Sequence, residues 1–469
     1  MALHTKHPAS APPTAPARET TGHLLLRAWC ALLLFTAFTA GAWNNLLGPA
    51  GFTIWVGSLT IASIVLWIRP ARADPASRFS WRRLPSFPIA YVIWAGASLI
   101  WSQWRSATIL TWGLLVASTI IALFIASMLT WRELVRGIAS ALKWVMGLSL
   151  LIELWSALVV GPILPNFVEV PADIPPELYW VRGNLLDGGR LQGIVGNAHL
   201  LGITALMAII VFAIRMAVVP KRGWLIAWTV LSAYLFVRAC SATTILAAVA
   251  AAIVLVAVLL MRTATRPDER TKWYLLYTAV AIALGVVVWL LRDAVLGALG
   301  RSSDLTGRKE IWAAVLDRGV QHPVVGWGYS TPWLPWDPGF KDWIVDHDLT
   351  VFMAHNMWID VFFQLGIIGV VLIALTYIAF IWRSWFFAID RPRWDLVAQR
   401  PYTALTLLPT LTAAVLVVQG MAESRPLMEW GWVLMVIFSF KIKQAPHIGV
   451  GPAEQSMAIE RGEQTKQAS

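Results

Sequence analysis

Residues 243–261 read TTILAAVAAAIVLVAVLLM, and residues 262–272 directly after them read RTATRPDERTK. The first run carries no charge. At about 1.5 Å per helical residue it is long enough to cross roughly 30 Å of hydrocarbon. The second run carries Arg262, Arg266, Arg270 and Lys272, the kind of basic cluster that is retained on the cytoplasmic side of a membrane. An apolar run ending on a basic loop reads as one pass of a multi-pass protein, and the rest of the chain repeats it.

Of the 469 residues, 58% are hydrophobic and 13% are charged, about half the charged fraction of a typical soluble domain. Apolar windows fall at 24–43, 51–68, 87–101, 107–129, 138–160, 194–218, 223–239, 243–261, 273–291, 362–382, 402–420 and 427–441. They predict an all-α, polytopic membrane protein of about 12 transmembrane helices. Basic residues occupy alternate loops: Arg69 to Arg83, Arg132 and Arg136, Lys221 and Arg222, Arg262 to Lys272, Arg383 to Arg400, then Lys441 and Lys443. All of these are therefore expected in the cytoplasm, together with both termini. The organisation that follows is a Pro/Ala/Thr-rich, disordered N-terminus (1–22), a membrane domain (23–443) and a disordered cytoplasmic tail (444–469). No cleavable signal peptide is apparent. Two long outer loops are expected, 161–193 and 292–354, the larger lying between the ninth and tenth spans.

The net charge of +11 is read as an orientation signal. Nucleic-acid binding is excluded as a reading, because the basic residues are spread through short loops with no binding module. Cys30 and Cys240 offer neither a disulfide framework nor metal spacing.

Orientation selects against arginine on the outer side, so the outward arginines are the first candidates for chemistry. Arg190 lies in GRLQGIVGNAHLLG (189–202) and Arg308 in SSDLTGRKEIWAAVL (302–316), and Arg238 and Arg301 are further outward arginines. Arg308 begins an amphipathic helix with Ile311, Trp312, Val315 and Leu316 on its apolar side, and Thr306 and Gly307 suit its start. An arginine in the first turn of a helix makes a good anion cradle; pairing with Asp304 or Glu310 is the plainer role. His355 opens AHNMWIDVFFQLGIIG (354–369), either as a helix-start residue or as a base at the membrane lip. Asn356, Asp360 and Gln364 form one polar stripe on an apolar helix, and Gly366 and Gly369 permit close helix packing. GMAESRP (420–426) puts Glu423 and Arg425 at another outer edge. Asp346 and Asp348 in VDHDL make an acid-x-acid triplet of the kind that holds divalent cations. Trp327, Tyr329, Trp333, Trp336 and Trp343 either stack on sugars or anchor the loop in the headgroup belt.

These residues together resemble the O-antigen ligase and O-antigen polymerase superfamily. His355, Asn356, nine residues, then Gly366-x-x-Gly369 is similar to the family's H-N-x9-G-x-x-G pattern. GRKEIW (307–312) with HPVVGWGY (322–329) resembles its GR..IW…P..G.G block, RLQGIVGNAHLLG its block before the sixth span, and Ala422 to Ser424 its late Glu-Ser. The chain departs from the family in CSATTIL (240–246), where Ala242 stands at an expected basic position and leaves Arg238 to supply the charge.

The resemblance implies a glycosyltransferase of the bacterial plasma membrane, working on its outer face without metal or other cofactor. Its donor partner would be a glycan on undecaprenyl diphosphate, and its acceptor a glycan or glycolipid hydroxyl, all within membrane lipid. Arg190 and Arg308, with Arg238 and Arg301 as further candidates, would hold the diphosphate. Asn356 and Glu423 would contact substrate, and His355 would act as base with inversion at the anomeric carbon. Ligase is the first reading and polymerase, with the same chemistry, the second. A membrane transporter is the alternative from another class.

Overall fold

The computed structural model describes residues 21–73, 83–167, 178–220, 222–291, 308–346, 349–390, 402–446 and 448. Most of the expected tails (1–22 and 444–469), Arg301 and the His347–Asp348 pair lie outside these. The described chain is helical almost throughout. In chain order it runs α1 (Thr21–Phe38), α2 (Ala40–Ala73, broken at Gly48), α3 (Ser86–Ala97), α4 (Arg105–Met128), α5 (Trp131–Trp155), the short α6 (Asn184–Asp187), α7 (Ala198–Val218), α8 (Gly223–Ala239), α9 (Ala242–Met261) and α10 (Pro267–Leu290). The short α11 (Arg308–Gly319) and a pair of two-residue strands, β1 (Val345–Asp346) and β2 (Leu349–Thr350), follow. Then come α12 (Met357–Ile389), α13 (Leu407–Gly420) and α14 (Glu429–Gln444).

Each expected apolar window overlaps these helices, the first (24–43) running across α1 into the start of α2. Seven helices among the described residues are long and apolar enough to cross a membrane, and three more apolar helices, Ser86–Ile100, Gly223–Ala239 and Ala404–Gly420, are shorter. The protein is a multi-pass, all-α membrane protein. Large apolar side chains face outward along the helices, including Ile54, Ile61, Ile93, Val237, Leu275 and Trp382, as a surface solvated by lipid requires. Lipid tails are as apolar as leucine, so burial alone does not hold such helices together; packing and interhelical hydrogen bonds do. Here α7 packs on α8, α9 on α13, α1 on α5 and α4 on α14. Trp432 Nε1 donates to Thr119 Oγ1 across 2.9 Å, and Trp131 Nε1 to the Ala445 carbonyl.

The long segment between α10 and α12 has an aromatic core of its own. Trp104, Trp333, Phe340 and Phe363 are buried together, with Trp327 and Trp343 packed against them. The Arg318 guanidinium sits over the Trp104, Trp327, Trp343 and Phe363 rings at 4.6–5.7 Å and donates to the Gly339 carbonyl. Of the five loop aromatics singled out by sequence, only Trp336 is exposed. Tyr329 and Trp333 are buried and Trp327 and Trp343 half-buried, and all but Tyr329 join the cluster around Trp104 and Phe363.

Candidate functional site

The helix that begins after His355 is not continuous. At Gly366 the backbone leaves the helical region (φ 64°, ψ −164°). In an unbroken helix the Phe363 and Gln364 carbonyls would accept from Ile367 and Ile368. Here they accept from the Trp327 and Gly328 amides at 3.1 and 2.9 Å, while Ile367 and Ile368 donate to the Pro323 and Val324 carbonyls. The segment 323–328 thus replaces the missing rungs of the ladder, as a backbone in an apolar setting demands. Gly326 and Gly366 make this crossing possible. A Cβ at Gly326 would collide with the Gln364 backbone, and one at Gly366 with the Val324 backbone. Gly366 therefore serves loop-to-helix contact, where sequence pointed to helix-to-helix packing.

The splice fixes the ground on which the polar residues meet. Glu423, 8% exposed, follows α13. Its Oε1 lies 3.1 Å from Arg308 Nη2 and its Oε2 3.0 Å from His355 Nδ1. One carboxylate thus joins the first residue of α11 to the residue ahead of α12. Burial pushes the Glu423 carboxyl up, but the hydrogen bond from His355 and the electrostatic influence of His199, His355 and Arg308 outweigh it and hold the group down at about 2. An ionised carboxylate only accepts, so His355 Nδ1 carries the proton and donates. Nε2 is the nitrogen left for chemistry.

His355 is held unusually. Its φ of 49° is left-handed, a conformation that costs about 1–3 kcal/mol in a non-glycine residue and persists where the surroundings impose it. Asn356 caps α12, its Oδ1 accepting from the Trp358 and Ile359 amides, and its Nδ2 donates to the Met421 carbonyl at 3.3 Å. On the other side, the Ala354 carbonyl accepts from Trp312 Nε1 of α11 at 2.9 Å. Buried Asp360 accepts from the Ala354 amide and from Gln364 Nε2. Gln364 Oε1 accepts from the Ser330 amide and Thr331 Oγ1. The polar stripe of sequence is thus a brace between α12 and the loop.

The remaining candidates are placed as follows. Arg190 donates from Nε to the Ala239 carbonyl at 2.9 Å. Arg238 is spent on the Asn184 and Leu185 carbonyls and the Tyr234 hydroxyl. Arg425 pairs with Glu429. Asp346 lies on β1. One residue escaped the sequence reading: His199, in the first turn of α7, on which the charges of Glu423, Arg308, Arg190 and Arg425 all act. Its signal was a histidine one turn into a span, nine residues after Arg190.

A cavity of about 770 Å³ adjoins this cluster. His355, Arg425, Asn197 and Trp336 lie on its wall, and Leu33, Val56, Leu59, Leu115 and Ile121 extend it down between α1, α2 and α4. Its ionisable lining residues, His355, Arg425 and Glu429, sit at the loop end, while along the helices apolar side chains are interspersed with Thr36, Asn45, Thr53, Thr111 and Ser118.

Residues 227–374, which include Arg238, Arg308 and His355, match the family model described as O-Antigen ligase. The chain is also 31% identical over 159 residues to the Exopolysaccharide production protein ExoQ of Rhizobium meliloti (strain 1021), a match taking in 32% of this chain and 35% of that protein. The match spans about a third of the relative's length. By motif, by family match and by this relative, the chain is similar to the O-antigen ligase superfamily.

Proposed function

We propose that the protein is an envelope polysaccharide ligase that transfers a glycan from undecaprenyl diphosphate to an acceptor hydroxyl on the outer face of the plasma membrane. The observation that carries the proposal is Glu423 holding Arg308 and His355 together at the lip of one cavity. In this reading His355 Nε2 takes the proton of the acceptor hydroxyl. The hydroxyl oxygen bonds to the anomeric carbon as the bond from that carbon to the diphosphate breaks, and inversion follows from attack opposite the leaving group. The electron pair departs with undecaprenyl diphosphate, whose charge Arg308 and Arg190 offset. Glu423 fixes the tautomer of His355 and stabilises the imidazolium that forms. The apolar side of the cavity receives the start of the polyprenyl chain. Polar candidates gathered at one end of the bundle, rather than strung along it, favour transfer over transport.

Similarity to an exopolysaccharide production protein supports a second reading, a polymerase with the same chemistry. Deleting the gene separates the two: a ligase leaves full-length polymer on the lipid carrier, a polymerase leaves single repeats. With purified protein and lipid-linked donor, His355→Ala is expected to lower transfer per folded molecule about 10²–10⁴-fold while donor still binds. Near-normal turnover in that variant would leave His355 as a helix-start residue and defeat the mechanism.

A further inference from the structure

Among the described residues of the segment 308–354, two aromatic side chains are exposed, Trp336 at 57% and Phe352 at 39%. Both line the cavity that His355 lines. The same cavity wall carries Arg425 and Glu429, which form an ion pair. The Arg425 guanidinium lies 5.9 Å from the centre of the Phe352 ring, so the pair and the aromatic are neighbours. We propose that this end of the cavity is a subsite for a neutral sugar ring. That the ring belongs to the acceptor rests on the transfer reading, in which His355 is the base.

A sugar ring presents two kinds of surface. Its C–H groups make its faces apolar, and its rim is a row of hydroxyls. An exposed indole or phenyl ring takes the face, as few other side chains do. The rim needs a donor and an acceptor side by side. A guanidinium only donates and a carboxylate only accepts, so Arg425 and Glu429 together can hold both members of a vicinal diol in charge-assisted bonds. The two charges cancel, which suits a neutral ring better than a second phosphate. The backbone points the same way. Glu429 has a φ of 54°, left-handed like that of His355. Of the four non-glycine residues with positive φ among those described, these two line the cavity. Such conformations persist where a side chain has to be presented in one direction. With Nδ1 of His355 turned to Glu423 at 3.0 Å, Nε2 is the nitrogen left for a hydroxyl of the ring seated here.

The test is saturation-transfer NMR on the full chain in lipid nanodiscs, free of glycoside detergent. The probes are the methyl glycosides of glucose, galactose, mannose and N-acetylglucosamine. At least one should bind with a dissociation constant on the order of 1 mM, the strength a ligand this small can reach. Trp336→Ala and Glu429→Gln should each weaken it about 10-fold. Trp336→Phe, which keeps an aromatic face, should retain most of it. Binding of farnesyl diphosphate, a prenyl diphosphate without glycan, should be unchanged in all three. Failure of every glycoside to bind the wild type at roughly 100 mM overturns the subsite, and so does binding that neither Trp336→Ala nor Glu429→Gln weakens. A Trp336→Ala variant that loses farnesyl diphosphate and keeps the glycosides also overturns it, since the aromatics would then be a lipid contact. Glycoside binding that behaves as expected, in a protein whose His355→Ala variant turns over normally, upholds the sugar subsite and rejects the base.

Discussion

His355 donates from Nδ1 to Glu423 Oε2 over 3.0 Å, a contact between residues 68 apart in the chain. Because the same carboxylate also holds Arg308, removing its charge separates two roles. Glu423→Gln should lower turnover by about 10²–10⁴-fold, since the imidazolium loses its counter-charge and the ring its fixed tautomer. Donor binding should hold or tighten, because Arg308 is released. Steady-state transfer set beside direct donor binding checks this; a variant that loses binding but turns over normally at saturation would refute it.

Arg308→Lys keeps the positive charge and loses the planar fork. Transfer should fall by roughly 10-fold or more, and Arg308→Ala should fall further. Initial rates across a range of donor concentration will show it. Wild-type kinetics in the lysine variant would mean that Arg308 acts as a point charge only.

The carboxyl of Glu423 is held at about 2, below its ordinary value of 4.5. A depressed value favours the folded state wherever the unfolded chain would be ionised. This contribution is complete above about pH 4.5 and fades as the pH falls from there toward 2. The thermal stability of the wild type should therefore exceed that of Glu423→Gln by a constant margin near neutrality, and the margin should shrink below pH 4.5. Unfolding scans in detergent across this range measure it; a margin that grows in acid would contradict the sign.

Gly326→Ala and Gly366→Ala should each fail to fold stably, because each new methyl meets the other segment's backbone and both positions need positive φ. A loss above about 3 kcal/mol is expected. Gly57→Ala is the control, with nothing within 4 Å of its Cβ and a slight gain in helix propensity. Thermal stability of the three variants side by side decides the matter.

The apolar windows were legible because hydropathy is a local property: TTILAAVAAAIVLVAVLLM announces its helix without help from distant residues. The break at Gly366 was not, since its cause lies some 40 residues earlier, at Gly326. Tryptophan content in segment 292–354 could not say which indoles are buried, because that depends on Trp104 and Phe363 arriving from elsewhere in the chain. Arg308, His355 and Glu423 could be named singly from charge and motif. That one carboxylate joins the other two had no signal in sequence, for Glu423 is 115 residues from one and 68 from the other. His199 passed unremarked because its neighbours looked like an ordinary start of a span.

The exchange of backbone bonds between 323–328 and 363–368 bears on how such proteins diversify. Loop and span cannot be inherited apart. A chimera with its junction between residues 328 and 363 would set a foreign loop against this chain's broken helix, leaving amides and carbonyls of both parents facing an apolar medium. The workable unit of recombination runs from Arg308 through Ile389 as one cassette.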